Sequence, residues 1–286
     1  MKAHRLLYPV KLMARVLEVS RSGFYAWLVR RPSVREIRHG RLRGQLLQIH
    51  LRTRQTYGSR RLLTELQEEG VDVGRDQISR LRRELGLRCV QKKKFVVTTN
   101  SAHGMPIAEN LLMQDFRTSA PGQVWGGDIT YIRTMEGWLY LAALKDFHTK
   151  EVVGWAMGSK MTDELVRKAL ERALAYRRPQ PGCICHSDQG SQYCSSAYQL
   201  ALIEARMRPS MSRRGNCWDN APTESLWSTL KQELIRDRVY PTRAHAEAEI
   251  REYLEVFYNR QRRHSSLGNV PPAIFAKTTL KQRRSA

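Results

Sequence analysis

Three short runs of strand-forming residues follow one another between residues 124 and 156 with little chain between them, and this spacing narrows the architecture more than any other stretch. Val124-Trp125 and Ile129-Thr130-Tyr131-Ile132 flank Asp128, residues 138–144 follow Glu136-Gly137, and Val152-Val153-Gly154-Trp155-Ala156 is the third run. Connections this short join antiparallel neighbours. The pattern then changes: a helical period over about 162–176 (Leu165, Ala169, Leu170, Ala173), a strand over 183–186, a helix over about 196–205 and a strand around 208–211. A meander followed by alternating helices and strands predicts a mixed α/β sheet.

The chain ahead of the sheet reads as helical. Over 9–29, Pro9 suits the first turn of a helix carrying Leu12, Val16 and Leu17, and Ser20 can cap a second helix with Phe24, Tyr25 and Trp27, ended by Pro32. From about 40 to 88, Leu42, Leu46, Leu47 and Ile49 mark one amphipathic helix, and Leu62, Leu63 and Leu66 mark another that Gly70 closes. A short helix begins at Asp76 with Ile78, Leu81 and Leu85 and stops at Gly86. Its outer face carries Arg75, Arg80, Arg82 and Arg83. A basic helix after a tight turn suits the DNA major groove, and the plainer reading is a solvated basic face.

Residues 91–121 lack periodicity and read as a basic linker with one short strand at 95–97. Beyond the sheet, helices are expected over 223–236 and 242–258, then a basic run at 258–264, and Pro271-Pro272 forbids a continuing helix. The expected units are a helical helix-turn-helix region at 1–95, a linker at 96–120, an α/β core at 121–237 and a basic helical extension at 238–286.

The 49 Lys and Arg against 27 Asp and Glu give a net charge of +22, which points to a polyanionic partner, with nucleic acid the leading candidate. No apolar run approaches the roughly 20 residues of a membrane span. Lys11, Arg15 and Glu18 interrupt any leader-like apolar stretch, so a cytoplasmic location is expected. Five scattered cysteines do not form a disulfide framework, and Cys183-Ile184-Cys185-His186 lacks the spacing of paired zinc ligands.

Three acids occupy places where chemistry is possible. Asp128 lies inside the first strand run, Asp188 just past the fourth, and Glu224 in the first turn of a helix. Neighbouring strands lie about 4.8 Å apart, so two strand carboxylates faced by a helix-borne third can converge on two divalent ions. Carboxylate oxygens favour Mg²⁺ or Mn²⁺. On the helix, Glu224 shares a face with Trp227, Ser228 and Lys231, while Leu226, Leu230 and Leu234 form another. Each acid alone also fits a turn, cap or helix-dipole role. Asp146, Asp163 and Asp219 read as such hairpin, cap and turn residues.

Four stretches carry a family likeness: 124–132 around Asp128, His186-Ser187-Asp188-Gln189-Gly190-Ser191-Gln192-Tyr193, Gly215-Asn216-Cys217-Trp218-Asp219-Asn220-Ala221-Pro222-Thr223-Glu224, and Phe257-Tyr258-Asn259-Arg260-Gln261-Arg262-Arg263-His264. With 35 residues between Asp188 and Glu224, the chain resembles bacterial insertion-sequence transposases of the OrfB type, whose core is like that of retroviral integrases. Tyr57-Gly58-Ser59-Arg60-Arg61 and the stretch from Ser20 to Tyr25 extend the likeness over nearly the whole chain.

The resemblance implies an RNase H-like mixed-sheet core preceded by an all-α helix-turn-helix region and followed by a basic helical segment. It implies Asp128, Asp188 and Glu224 as catalytic metal ligands, Lys231 as a helper cation, and two Mg²⁺ (or Mn²⁺) ions. The implied reaction is cleavage of double-stranded DNA to expose a 3′-hydroxyl, then strand transfer, by a nucleoid-associated homo-oligomer working with a companion OrfA-type protein or fusion. Expected DNA contacts are Arg60, Arg61, Arg75, Arg80, Arg82, Arg83, Arg213, Arg214, Arg260, Arg262 and Arg263. Gly126-Gly127 departs from the bulkier residue or Thr that relatives often carry before the Asp, and is expected to loosen the strand. A metal-dependent nuclease of RNase H type and a non-catalytic DNA-binding regulator are the alternatives. His186 is open between supporting the site and packing.

Overall fold

A computed structural model describes residues 1–90, 105–213 and 217–285; the strand expected at 95–97 and Arg214 lie outside them. Strands β1 (Val124–Thr134), β2 (Gly137–Asp146) and β3 (Val152–Gly158) form the antiparallel meander. β4 (Ile184–Ser187) then pairs parallel to β1, and β5 (Arg208–Met211) parallel to β4, in the order β3-β2-β1-β4-β5. This is the expected RNase H-like sheet. Alternate residues of β2 explain its near-continuous apolar run. Leu139, Leu141 and Ala143 join one core, Ala142 and Leu144 the other, so both faces are covered.

Ahead of the sheet lie α1 (Val10–Val16), α2 (Arg21–Val29), α3 (Val34–Arg52), α4 (Ser59–Glu68) and α5 (Arg75–Glu84). Ser20 caps α2 as its sequence predicts. α3 starts well before residue 40 because Ser33 and Glu36 form a reciprocal capping box. Helices α3 to α5 share a core of Leu42, Leu46, Ile49, Tyr57, Leu62, Leu66, Ile78 and Leu81. In contrast, Leu12, Val16, Leu17, Tyr25 and Trp27 stay exposed, since α1 and α2 are short and only Ala14 and Phe24 are buried there.

One face of the sheet is covered by α6 (Asp163–Tyr176), α7 (Ser191–Cys194) and α8 (Ser196–Glu204). The other is covered by α9 (Ala221–Leu230) and α10 (Arg243–Glu252). The expected continuous helices both widen into π-helical turns, at Lys231–Ile235 and Tyr253–Gln261. Between them lies a buried polar group that apolar periodicity does not encode. Glu233 accepts from Tyr253 Oη at 2.8 Å and from Arg262 Nε and Nη2 at 2.8 Å. A new helix, α11 (Pro272–Ser285), starts at the second proline of the pair, where a missing N–H removes no helical hydrogen bond.

Two expected DNA contacts are corrected here. Arg262 is buried against Glu233, and Arg263 is buried against Glu65 and Glu68 of α4, so neither guanidinium faces solvent. Basic composition alone cannot separate an arginine that faces a partner from one that pairs with an acid distant in sequence. Arg263 also donates its backbone N–H to Tyr57 Oη at 2.7 Å. With the Arg54–Glu252 pair, this ties the helical region to the C-terminal segment.

Because Glu233 and Arg262 are both buried, Glu233→Ala strands an unpaired guanidinium. The expected cost is about 3–5 kcal/mol of stability, read as a lower urea midpoint at unchanged m-value.

Candidate active site

Strand pairing brings two of the acids together. Gly126 of β1 pairs with His186 of parallel β4, and continuing that register two residues sets Asp128, still within β1, beside Asp188, one residue past the end of β4. Asp128 pairs across with Ala143, whose side chain belongs to the face covered by α9, and therefore points towards that helix. Glu224 lies in the first turn of α9. Leu226 and Leu230 on the opposite side of α9 are fully buried, which fixes how the helix is rotated.

Trp227, one turn beyond Glu224, donates its indole N–H to Asp128 Oδ2 at 2.9 Å, and the Ile129 amide donates to Oδ1 at 2.8 Å. The i+3 spacing from Glu224 was the only sequence signal for this role. Asp188 Oδ1 accepts from the Gly190 amide at 3.0 Å. Lys231 stands with its ammonium 5.0 Å from the centre of the Tyr131 ring. Burial lowers its pKa, and the Asp128 carboxylate opposes that shift only in part.

The electrostatics are those of crowded like charges. Asp128 keeps some accessible surface, yet burial, then the Asp188 carboxylate, push it well above the usual carboxylate range, against the opposing pull of the Ile129 and Trp227 donors. Glu224 is raised by burial and by Asp188. Among the described residues no three His, Cys, Asp or Glu side chains already sit close enough to hold a metal ion. The donor set nevertheless fits a hard divalent cation, because the acids carry mutually repelling negative charge that such an ion would neutralise.

The neighbouring thiol and phenol are harder to ionise than usual. Burial raises the Cys194 thiol and, with the acids, the Tyr193 phenol. Cys183 and Cys185 pack in the core with raised pKa values, Cys185 pushed to about 11 by burial.

His186 proves to be part of the framework. It is fully buried, and its Nε2 lies 2.9 Å from the Asp219 carbonyl, which can only accept, so Nε2 carries the proton. Nδ1 then accepts from Ser210 Oγ at 2.9 Å. Asp146 serves its hairpin as expected, accepting from the Gly122, His148 and Thr149 amides and the Trp125 indole. Lys145 is a residue that sequence reasoning missed, although a lysine within an apolar strand was a visible anomaly. It is buried beneath α9, donating to Pro222 O at 2.9 Å and Ser225 Oγ at 3.1 Å, and burial pulls its ammonium down to about 7.

The glycine pair also reads differently in three dimensions. A Cβ on Gly126 would meet Phe147 and Thr223 Oγ1 at 2.3 Å, so this glycine lets α9 lie directly on β1 rather than loosening the strand. At Gly127 a Cβ would only touch Leu144 and Tyr193, at 3.2 and 3.4 Å.

Of the expected DNA contacts, Arg60, Arg75, Arg80, Arg83 and Arg260 are exposed. Arg61 is half-buried over the Tyr57 ring, and Arg82 donates to Leu87 O and Cys89 Sγ. Arg213 is exposed but donates through Nε and Nη2 to Asp219. No helix among the described residues is long and apolar enough to cross a membrane.

Trp227→Phe keeps an aromatic ring in the core but loses the indole N–H that supports Asp128, so it should lower activity about 10- to 100-fold with the fold retained; end-cleavage rates beside circular dichroism measure this. An acid whose folded pKa is raised stabilises the fold below its unfolded pKa and loses that contribution as pH rises through the folded value. Asp128→Asn should therefore raise the Tm of protein in EDTA at neutral pH and flatten the decline in Tm with rising pH seen in the unsubstituted protein.

An integrase core domain family matches residues 118–217, a second integrase core domain family matches 205–272, and an HTH-like domain family matches 39–95. The chain is 54% identical over 263 residues to an uncharacterized 31 kDa protein of insertion element IS600 from Shigella sonnei, covering 92% of this chain and 97% of that protein. It is 41% identical over 279 residues to transposase InsF for insertion sequence IS3A from Escherichia coli (strain K12), covering 97% of each. Among solved structures, the HTLV-2 integrase catalytic core domain in complex with magnesium aligns with 56% of this chain and 99% of its own, at 14% identity and a TM-score of 0.43. Identity at this level over nearly the full length of both chains places the protein in the IS3 family of insertion-sequence transposases, built from an integrase core and an HTH-like domain.

Proposed function

We propose that this transposase cleaves DNA at the element ends to expose 3′-hydroxyls and joins them to target DNA, with Asp128, Asp188 and Glu224 as the catalytic carboxylates. The observation that supports this reading is the placement of the acids: Asp128 on β1, Asp188 just past the parallel strand β4, and Glu224 in the first turn of the helix over them, with Asp128 and Glu224 both pushed upward by the Asp188 charge. Together they would hold two Mg²⁺ (or Mn²⁺) ions, whose chemistry is to activate an attacking water or 3′-hydroxyl and to stabilise the leaving 3′-oxygen. Trp227 keeps Asp128 oriented through its indole N–H, and Lys231 offers a cation to a DNA phosphate beside the acids.

DNA would be gripped first by phosphate contacts from the exposed arginines of α4 and α5, Arg60, Arg75, Arg80 and Arg83. Joining two ends in one event calls for more than one copy on the DNA. A companion OrfA-type protein or fusion would supply end specificity.

Asp188→Asn should abolish both 3′-end cleavage and joining in Mg²⁺ while DNA binding, and its steep weakening with salt, persist. The assay uses inverted-repeat DNA with flanking sequence, with and without the companion. Cleavage without joined product would favour a nuclease, binding without cleavage a regulator, and joining by Asp188→Asn would remove Asp188 from the site.

A further inference from the structure

Asp219 reads from sequence as a turn residue, and in the structure it does far more than close a turn. It is 1% exposed. Its Oδ2 accepts from the Arg213 backbone N–H, Arg213 Nε and Asn110 Nδ2, and its Oδ1 from Arg213 Nη2 and Gln114 Nε2, all at 2.9 Å. Its own carbonyl accepts from His186 Nε2. A capping acid would accept from the amides of the helix that follows. Here α9 has Asn220 at its cap position and no side-chain cap bond, and the Asp219 carboxylate faces the opposite way, towards residues 110–114 and 213.

These bonds join the approach to α9 to β4, to the chain just beyond β5 and to the 110–114 segment. His186 lies on β4 two residues before Asp188. Its other nitrogen is held by Ser210 of β5, whose hydroxyl also accepts the Leu111 amide at 3.0 Å. Arg213 lies just beyond β5. Asp219 sits in the short 3-10 turn Cys217–Asn220 that runs straight into Ala221 of α9, five residues before Glu224. Asp188 and Glu224 have 35 residues between them in sequence, and Asp219 links the start of the helix bearing Glu224 to the strand that leads into Asp188.

We propose that Asp219 is a positioning residue: by tying the start of α9 to β4, β5 and the 110–114 segment, it sets the distance between Glu224 and Asp188 at which the acids share a divalent cation. The inference rests on the reading of Asp128, Asp188 and Glu224 as the metal-binding site. Asp219 itself touches neither metal nor DNA, and its effect is carried through the backbone of α9.

The test titrates Mg²⁺ against Tm in the absence of DNA, using the full chain, then measures Mg²⁺ dependence of end cleavage. Asp219→Asn keeps the size of the side chain and loses the charge that holds Arg213. The expected result is a Tm in EDTA within a few degrees of the unsubstituted protein, with the Mg²⁺ midpoint of the Tm rise and of cleavage both raised about 10- to 100-fold. Arg213→Gln, which leaves Asp219 with the Asn110 and Gln114 side chains and the backbone N–H of residue 213, should shift both midpoints in the same direction by less, and it decides the matter if Asp219→Asn does not fold. A merely structural role would lower the Tm in EDTA and leave the Mg²⁺ midpoint of the folded fraction where it was; that result overturns the proposal. If the unsubstituted protein shows neither a Mg²⁺-dependent Tm rise nor cleavage, the three-acid site fails and the role of Asp219 falls with it. A normal response of the unsubstituted protein matched by both variants removes Asp219 alone.

Discussion

Mutual repulsion among Asp128, Asp188 and Glu224 is the constraint around which the core is built. Left to themselves the three carboxylates would separate, and burial of Asp128 adds a desolvation cost. The fold opposes this by placing each acid on an element that cannot retreat without opening a core. Asp128 is on a strand paired on both sides, Asp188 follows fully buried His186, and Glu224 shares its helix with fully buried Leu226 and Leu230. Burying one such leucine stabilises by about 1.5–3 kcal/mol, so a few core side chains suffice to hold an electrostatically unfavourable arrangement in place. Free energy stored in this way is what a cation would release on binding, so the site and the core are two sides of one balance.

The same logic explains why α9 lies so close to the sheet. Thr223 rests where a Cβ of Gly126 would be, Lys145 reaches from β2 to the first turn, and Trp227 bonds to Asp128. These contacts fix the height, the N-terminal end and the rotation of one helix, and all three act within a turn of Glu224. Removing a side chain at position 126 is thus a device for close approach, and the cost of glycine in a strand is offset by a helix seated directly on it.

Much of this was legible in the sequence, for physical reasons that differ by element. The strands were readable because β1, β2 and β3 are joined by tight connections, and α6 because its buried residues recur with helical period. The acids were readable in position but acquired partners only through family likeness, since a lone carboxylate at a strand end is usually a cap. What stayed hidden depends on contacts distant in sequence. The π-helical turns at 231–235 and 253–261 face each other across Glu233 and Arg262, and no local pattern announces that pairing. Arg263 reads as a surface cation until Glu65 and Glu68, nearly two hundred residues earlier, are seen beside it.

That misreading bears on how the positive charge is used. Arg262, Arg263, Arg213, Arg54 and Arg238 are engaged with acids of the chain itself, so their charge is already cancelled within the net +22 and the excess is carried by other cations. Among the outward cations are Arg35, Arg38 and Arg41 of α3, Arg60 of α4, and Arg75, Arg80 and Arg83 of α5. These helices are tied to the catalytic half by the same internal pairs, and the tie reaches the active helix: Gln232, the residue after Lys231, donates to the Val90 carbonyl at 2.6 Å, and Arg236 donates to the Arg54 carbonyl at 3.2 Å. These internal pairs therefore hold the helical region at a set distance from Lys231 and the three acids.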